Sequence, residues 1–254
     1  MDRLFFTFII LVFLLSSCSS SKNILYVQDL NNNSELKSNY VEYLIKVDDI
    51  LKIDIKPDHV EVTKSFSPDN LVNSKISSKD DILFNGYKVD VNGNISFPSI
   101  GLFSVQGKSI NQIRDEIYNF LINNGFFTKP HVDIKLANAH FSIIGEVNSP
   151  GRYEFLKNNL NIFEAIAISG DLTITAKRDD ILLIREVDNK KMVFNIDLTS
   201  SNFIQSKSYQ IFSGDVIIVN PNKTRIKNAG VIGNSGTLLS LLSFILSSII
   251  VISN

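Results

Sequence analysis

Three shortages narrow what this chain can be. It has one cysteine, Cys18, in 254 residues, so an intramolecular disulfide is excluded and the fold must rest on packing. It has no excess of either charge: 25 basic against 26 acidic residues give a formal net charge of -1. That balance argues against a nucleic-acid binder, which needs a basic surface. It has only three histidines, at His59, His131 and His140, with none of the spacings of a metal site.

Catalytic signatures are missing too. There is no Gly-x-Ser-x-Gly elbow and no phosphate-cradling Gly-x-x-x-x-Gly-Lys. The adjacent pairs Asp48/Asp49, Asp80/Asp81 and Asp179/Asp180 suit a strand, where neighbours face opposite ways, better than an acid–base dyad. The sequence is therefore read as a non-enzyme that needs no cofactor.

What is present is concentrated at the ends. Met1-Asp2-Arg3 precedes an apolar run, Leu4 to Leu15, broken only by Thr7, and then Ser16-Ser17-Cys18. The run is too short to span a bilayer and reads as an export signal over residues 1–17. Leu15-Ser16-Ser17-Cys18 resembles a bacterial lipobox, which implies that Cys18 is acylated and becomes the mature N-terminus. Several acyl chains anchor firmly, at about 0.8 kcal/mol per buried methylene. Residues 18–40, rich in Ser and Asn, read as a lipidated tether. At the other end, Leu238 to Ile252 contains no charge and is expected to be a membrane helix over 238–253, after a linker at 223–237. Ser240, Ser243 and Ser247 share one face of it, suited to helix packing or to lining a water-filled lumen. A single-span anchor, in either membrane, or a buried hydrophobic helix is the plainer alternative. Lys223, Arg225 and Lys227 precede it and suit anionic head groups or an ordinary solvated linker.

Between the ends lie two mixed segments. Leu51/Ile53/Ile55 alternate with Lys52/Asp54/Lys56, the mark of a half-buried strand. Residues 57–81 read as a long polar loop. Asn92-Gly93 lies between two alternating runs and predicts a hairpin. Ser109 is placed to cap a helix reaching about Asn123, with Ile110, Ile113, Ile117, Phe120 and Leu121 on one face. His131 to Leu136 alternates again. Beyond residue 139, strands are expected at Phe141–Val147, Asp180–Val187, Lys191–Asp197 and Asp215–Val219, with a helix capped by Asn161. The expected class is α+β.

The ordered series Tyr43 to Ile55, Tyr87-x-Val89-x-x-Asn92-Gly93-x-Ile95-x-x-Pro98-x-x-Gly101, and a helix after Gly107 resembles the polysaccharide export domain of outer-membrane capsule translocons, the Wza-like family. Ile144-Gly145-Glu146-Val147-x-x-Pro150-Gly151, the helix ending Ser169-Gly170, and Ser213-Gly214-Asp215 resemble the soluble-ligand-binding β-grasp module that follows it. This resemblance implies an export domain over 41–138, a β-grasp domain over 139–222, and a C-terminal transmembrane α-helix. It further implies a homo-oligomeric ring in the outer membrane that passively conducts capsular or exopolysaccharide, served by an inner-membrane polysaccharide co-polymerase. Asp48-Asp49 stands where the family often has Gly-Asp. Glu146 reads as a solvated or capping carboxylate. A monomeric glycan-binding lipoprotein and a glycan-acting enzyme are the rival readings.

Overall fold

The computed structural model describes residues 24–30, 35–36, 40–56, 85–97, 101–157, 160–187 and 190–228, with scattered helical positions between 236 and 248. The signal region, Cys18, His59, the polar loop 57–81 and the Asp188-Asn189 turn lie outside the described residues.

Among the described residues the protein is mostly β, with three short α-helices, rather than the expected α+β arrangement with a membrane helix. In the first half, β1 (Ile50–Lys56) pairs antiparallel with β2 (Tyr87–Lys88) and with β5 (His131–Leu136). Leu51 and Ile53 point inward as the alternation demands, opposite Leu136 and Ile134. A separate two-stranded ladder joins β3 (Asn94–Phe97) to β4 (Gly101–Ser104). Helix α1 (Ile110–Asn123) starts at Ser109 in a reciprocal capping box with Gln112, which satisfies amide groups the first turn leaves without partners. Its Ile113, Ile117 and Leu121 are buried and close this first core against Tyr87, Val89 and Phe97.

The Asn92-Gly93 turn forms, but not as a simple hairpin. The carboxylate of Asp90 accepts the amides of Asn92 and Asn94, and Gly93 takes φ +77°. A Cβ on Gly93 would lie 2.5 Å from Gln106. The runs on either side then diverge, β2 to β1 and β3 to β4. Alternation fixes a strand's faces but not its partner.

The second core lies around a five-stranded sheet of order β10-β9-β12-β6-β7. Its strands are β6 (His140–Gly145), β7 (Gly151–Glu154), β9 (Ala176–Val187), β10 (Lys190–Ile196) and β12 (Asp215–Pro221). The first and last, β6 and β12, pair in parallel at the centre, from Asp215↔Phe141 to Val219↔Gly145. Helix α2 (Ile162–Ile168), capped by Asn161 with Glu164 in return, is followed by β9, which starts four residues earlier than the alternation suggests. A small ladder of β8 (Leu160–Asn161) and β11 (Gln210–Ile211) lies beside α2. Helix α3 (Lys223–Asn228) follows β12.

The transmembrane helix expected over 238–253 is not supported. Among the described residues, no helix is long and apolar enough to cross a membrane. The fifteen residues from Leu238 to Ile252 would supply about 23 Å at 1.5 Å per residue, short of a hydrocarbon core of about 30 Å. Of the serines there, Ser243 Oγ donates to the Leu239 carbonyl at 2.8 Å and Ser247 Oγ to that of Phe244 at 2.9 Å. Such back-bonding engages the hydroxyls locally. Ser240 occupies an exposed helical position.

Candidate functional site

The two cores meet at a polar junction. Asp48 takes φ +69°, the left-handed conformation that explains why glycine suits this position and that Asp tolerates better than most residues. The turn aims Asp49 inward, where its carboxylate accepts the Tyr43 hydroxyl at 2.9 Å and the Lys46 amide at 2.8 Å. Burial raises the Asp49 carboxyl above its ordinary value, against those two bonds. Burial also pushes the Tyr43 phenol far upward, helped by the Asp49 charge, so Tyr43 remains a donor at any physiological pH. From this turn, Lys46 Nζ reaches across to the Glu186 carbonyl at 2.8 Å, and the Tyr43 ring meets Phe212 edge-on. The Val41 amide donates to Gln210 Oε1 at 3.0 Å, and the Gly214 amide to the His140 carbonyl at 2.8 Å.

Behind Phe212 lies a buried ion pair. The Arg185 guanidinium forks onto Asp215, at 2.9 Å from Oδ1 and 2.6 Å from Oδ2. It also donates to the carbonyls of Lys207 and Gln210 and lies 4.2 Å from the Phe212 ring centroid. Asp215 takes the Phe212 amide as well. A buried charge pair is tolerable only when its remaining donors and acceptors are met in this way.

Along the junction runs a shallow seam with Tyr40, Glu42, Tyr43, Phe155 and Phe212 on its walls, its volume of ≈ 60 Å³ well short of an enclosing ligand pocket. Ile110 and Asn111 connect the seam to a larger open groove of ≈ 550 Å³ between α1 and β5. Asn111, Arg114, Asp115 and Tyr118 line one wall, His131 and Asp133 the other. An aromatic ring among amide, guanidinium and carboxylate groups matches the chemistry of a glycan, whose ring faces are apolar and whose edges carry hydroxyls.

The residues singled out by sequence do not assemble here. Cys18 is outside the described residues, and Ser240, Ser243 and Ser247 belong to the C-terminal helical positions. The groove residues went unread, although 111, 114, 115 and 118 have the spacing of one helical face, the one beside the buried 113/117/121 stripe. Glu146 is neither free carboxylate nor helix cap. Its Oε2 accepts the hydroxyls of Thr173 at 2.7 Å and Thr175 at 2.6 Å, and its Oε1 accepts Arg225 Nε at 3.2 Å. Those bonds, the Thr175 hydroxyl foremost, hold its carboxyl below the ordinary value. Arg225, read as a head-group contact or a solvated linker residue, is thereby tied to the second sheet.

Residues 37–137 match the family model described as polysaccharide biosynthesis/export protein. The chain is 24% identical over 141 residues to the EPS I polysaccharide export outer membrane protein EpsA of Ralstonia solanacearum, a stretch covering 54% of this chain and 37% of that protein. It is 26% identical over 138 residues to the protein of the same name from Ralstonia nicotianae, covering 53% and 35%. The matched stretch thus spans little more than a third of these curated relatives.

Proposed function

The chain belongs, through residues 37–137, to the polysaccharide biosynthesis/export family, and from that premise we propose that it carries capsular or exopolysaccharide from periplasm to cell surface as a subunit of an outer-membrane export channel. In this reading Cys18 is acylated and holds the mature chain to the outer membrane, with residues 41–138 as the export domain and 139–222 as a β-grasp module. The parallel pairing of the first and last strands at the centre of the second sheet supports that second assignment. Protomers close into a ring, because a heterologous interface that does not close builds filaments instead. Drive and length control come from an inner-membrane polysaccharide co-polymerase. The polymer passes unaltered, guided by exposed polar and aromatic surfaces such as the α1–β5 groove.

The observation that carries the reading is the family match over the first unit. The direct test is genetic. Cells lacking the chain should lose surface polysaccharide and accumulate polymer inside, and normal surface polymer would overturn the reading. A second reading, a monomeric glycan-binding lipoprotein, draws on the aromatic seam. The molar mass of the mature protein in detergent separates the two: a large closed oligomer fits the channel, and a monomer with saturable glycan binding fits the alternative.

A further inference from the structure

The parallel pairing of β6 and β12 gives the second sheet two unlike ends. Both strands begin at the junction, where the Gly214 amide bonds the His140 carbonyl beside Tyr43 and Phe212. Their pairing finishes at Gly145 and Val219, about 15 Å away at roughly 3.3 Å per residue. At that far end Glu146 ties together three segments: the end of β6, the loop through Thr173 and Thr175, and Arg225 of α3. The Asn222 amide adds a bond to the Thr175 carbonyl at 2.7 Å. The chain therefore leaves the sheet at the end opposite the export domain.

The N-terminal segment docks at the same end. The amides of Val27 and Gln28 donate to the carbonyls of Leu198 and Thr199 at 2.9 and 2.7 Å. Leu198 in turn donates to Arg178 near the start of β9, which pairs with the last residues of β12. The Tyr26 hydroxyl donates to Asp171, its ring meets Phe163 edge-on, and Arg178 lies over its face. Asp29 accepts the Ser201 amide at 2.6 Å and the Ser200 hydroxyl at 3.0 Å. Val27 is held at φ +44°, which a β-branched residue adopts only when neighbouring contacts impose it. Residues 24–30 are thus a fitted strap. Ile24 lies six residues from Cys18, a reach of at most about 22 Å when fully extended.

The surface of this end has the matching chemistry. Ile174, between the two threonines bonded to Glu146, is 75% exposed, and Ile226 is 61% exposed. Lys223 and Arg225 stand beside them, exposed, on the first turn of α3. Protruding aliphatic side chains with flanking cations suit the interface of an anionic bilayer.

We propose that the Glu146 end of the second sheet is a membrane-contacting surface, with Ile174 and Ile226 entering the interface of a phospholipid leaflet and the 24–30 strap holding that end against it. The strap's part in this rests on acylation of Cys18; the contact surface does not.

The test uses the full mature chain in vesicles of phosphatidylethanolamine and phosphatidylglycerol containing nitroxide-labelled lipid. A fluorophore is attached at Ile174→Cys or, as the remote control, at Val91→Cys on the first unit. Quenching several-fold stronger at 174 than at 91 is expected. In the Tyr26→Ala/Asp29→Ala chain the signal at 174 should fall toward that at 91. Equal or reversed quenching overturns the surface. Unchanged quenching at 174 after the strap substitutions overturns the strap's role. The mass of the N-terminal peptide reports acylation separately, so failure of the lipoprotein reading is seen there. In an unacylated Cys18→Ser chain, salt-sensitive flotation with the same vesicles should drop on Ile174→Ser/Ile226→Ser, and its absence from the start overturns the surface.

Discussion

The two halves of the molecule solve the same packing problem with different materials. Around the first core the buried polar residues are Asp49 and Ser109, and the rest is aliphatic and aromatic. Around the second, Arg178, Arg185, Asp215, Gln210 and several serines are buried with the hydrophobic residues. The first half buries one carboxylate, Asp49, and no ion pair among its described residues. The second has placed charge where nothing but other protein groups can satisfy it, so its stability depends on complete pairing.

The largest test of that contrast is Arg185→Leu, which strands Asp215 and should cost about 3–5 kcal/mol. Denaturant unfolding read by amide exchange should show β9 and β12 losing protection while α1 retains it. The double change Arg185→Leu/Asp215→Leu should recover most of the loss, because no charge is left unpaired. Next comes Gly145→Ala. Gly145 lies at φ +96°, and a Cβ there would sit 2.1 Å from the Val219 carbonyl oxygen. About 2–3 kcal/mol is expected, confined to the second half and seen as a lower midpoint in urea. Smaller and symmetrical are the cap substitutions Ser109→Ala and Asn161→Ala, each about 1 kcal/mol. Exchange at the first turn of α1 should report one, and at that of α2 the other.

The smallest effect is one of pH, with opposite signs in the two halves. Asp49 titrates above its ordinary value of 3.8 in the fold because of burial. Its contribution to stability is therefore fully present below 3.8 and is lost as pH rises through the higher folded value. Glu146 titrates below 4.5 because of its threonine bonds. Its contribution is present above 4.5 and is lost as pH falls through the lower folded value. Acidification from pH 5 to pH 3 should lower the protection factor of the Thr173 amide, measured against its intrinsic exchange rate at each pH, and raise that of Val89, whose amide bonds the Asp49 carbonyl. Asp49→Asn should abolish the second response alone.

The sequence carried much of this, and its omissions have physical causes. Helix α1 was legible from Ser109 to Asn123 because cap and apolar stripe are local signals. The start of β12 at Asp215 was legible as well. Arg185 was not, because its partner lies thirty residues away and one arginine within an apolar strand carries no label. The divergence of β2 and β3 depends on which neighbour wins each edge, and period-two alternation is silent on that. The strap was hidden by composition: a Ser- and Asn-rich segment reads as loose chain, whereas Tyr26, Val27 and Asp29 dock through a few specific bonds. The C-terminal run misled in the other direction: its composition is apolar, yet among the described residues no helix is long and apolar enough to span a membrane.

The central position of β12 also bears on the order of folding. It bonds β6 on one side and β9 on the other, yet it is the last strand of its sheet to be synthesised. Until residues 215–221 are available, β6–β7 and β9–β10 are two separate antiparallel pairs, each with an open edge where the missing strand belongs. A chain interrupted before Asp215 would leave both of those edges open, and it is expected to be more readily proteolysed and more prone to edge-to-edge aggregation than the full chain.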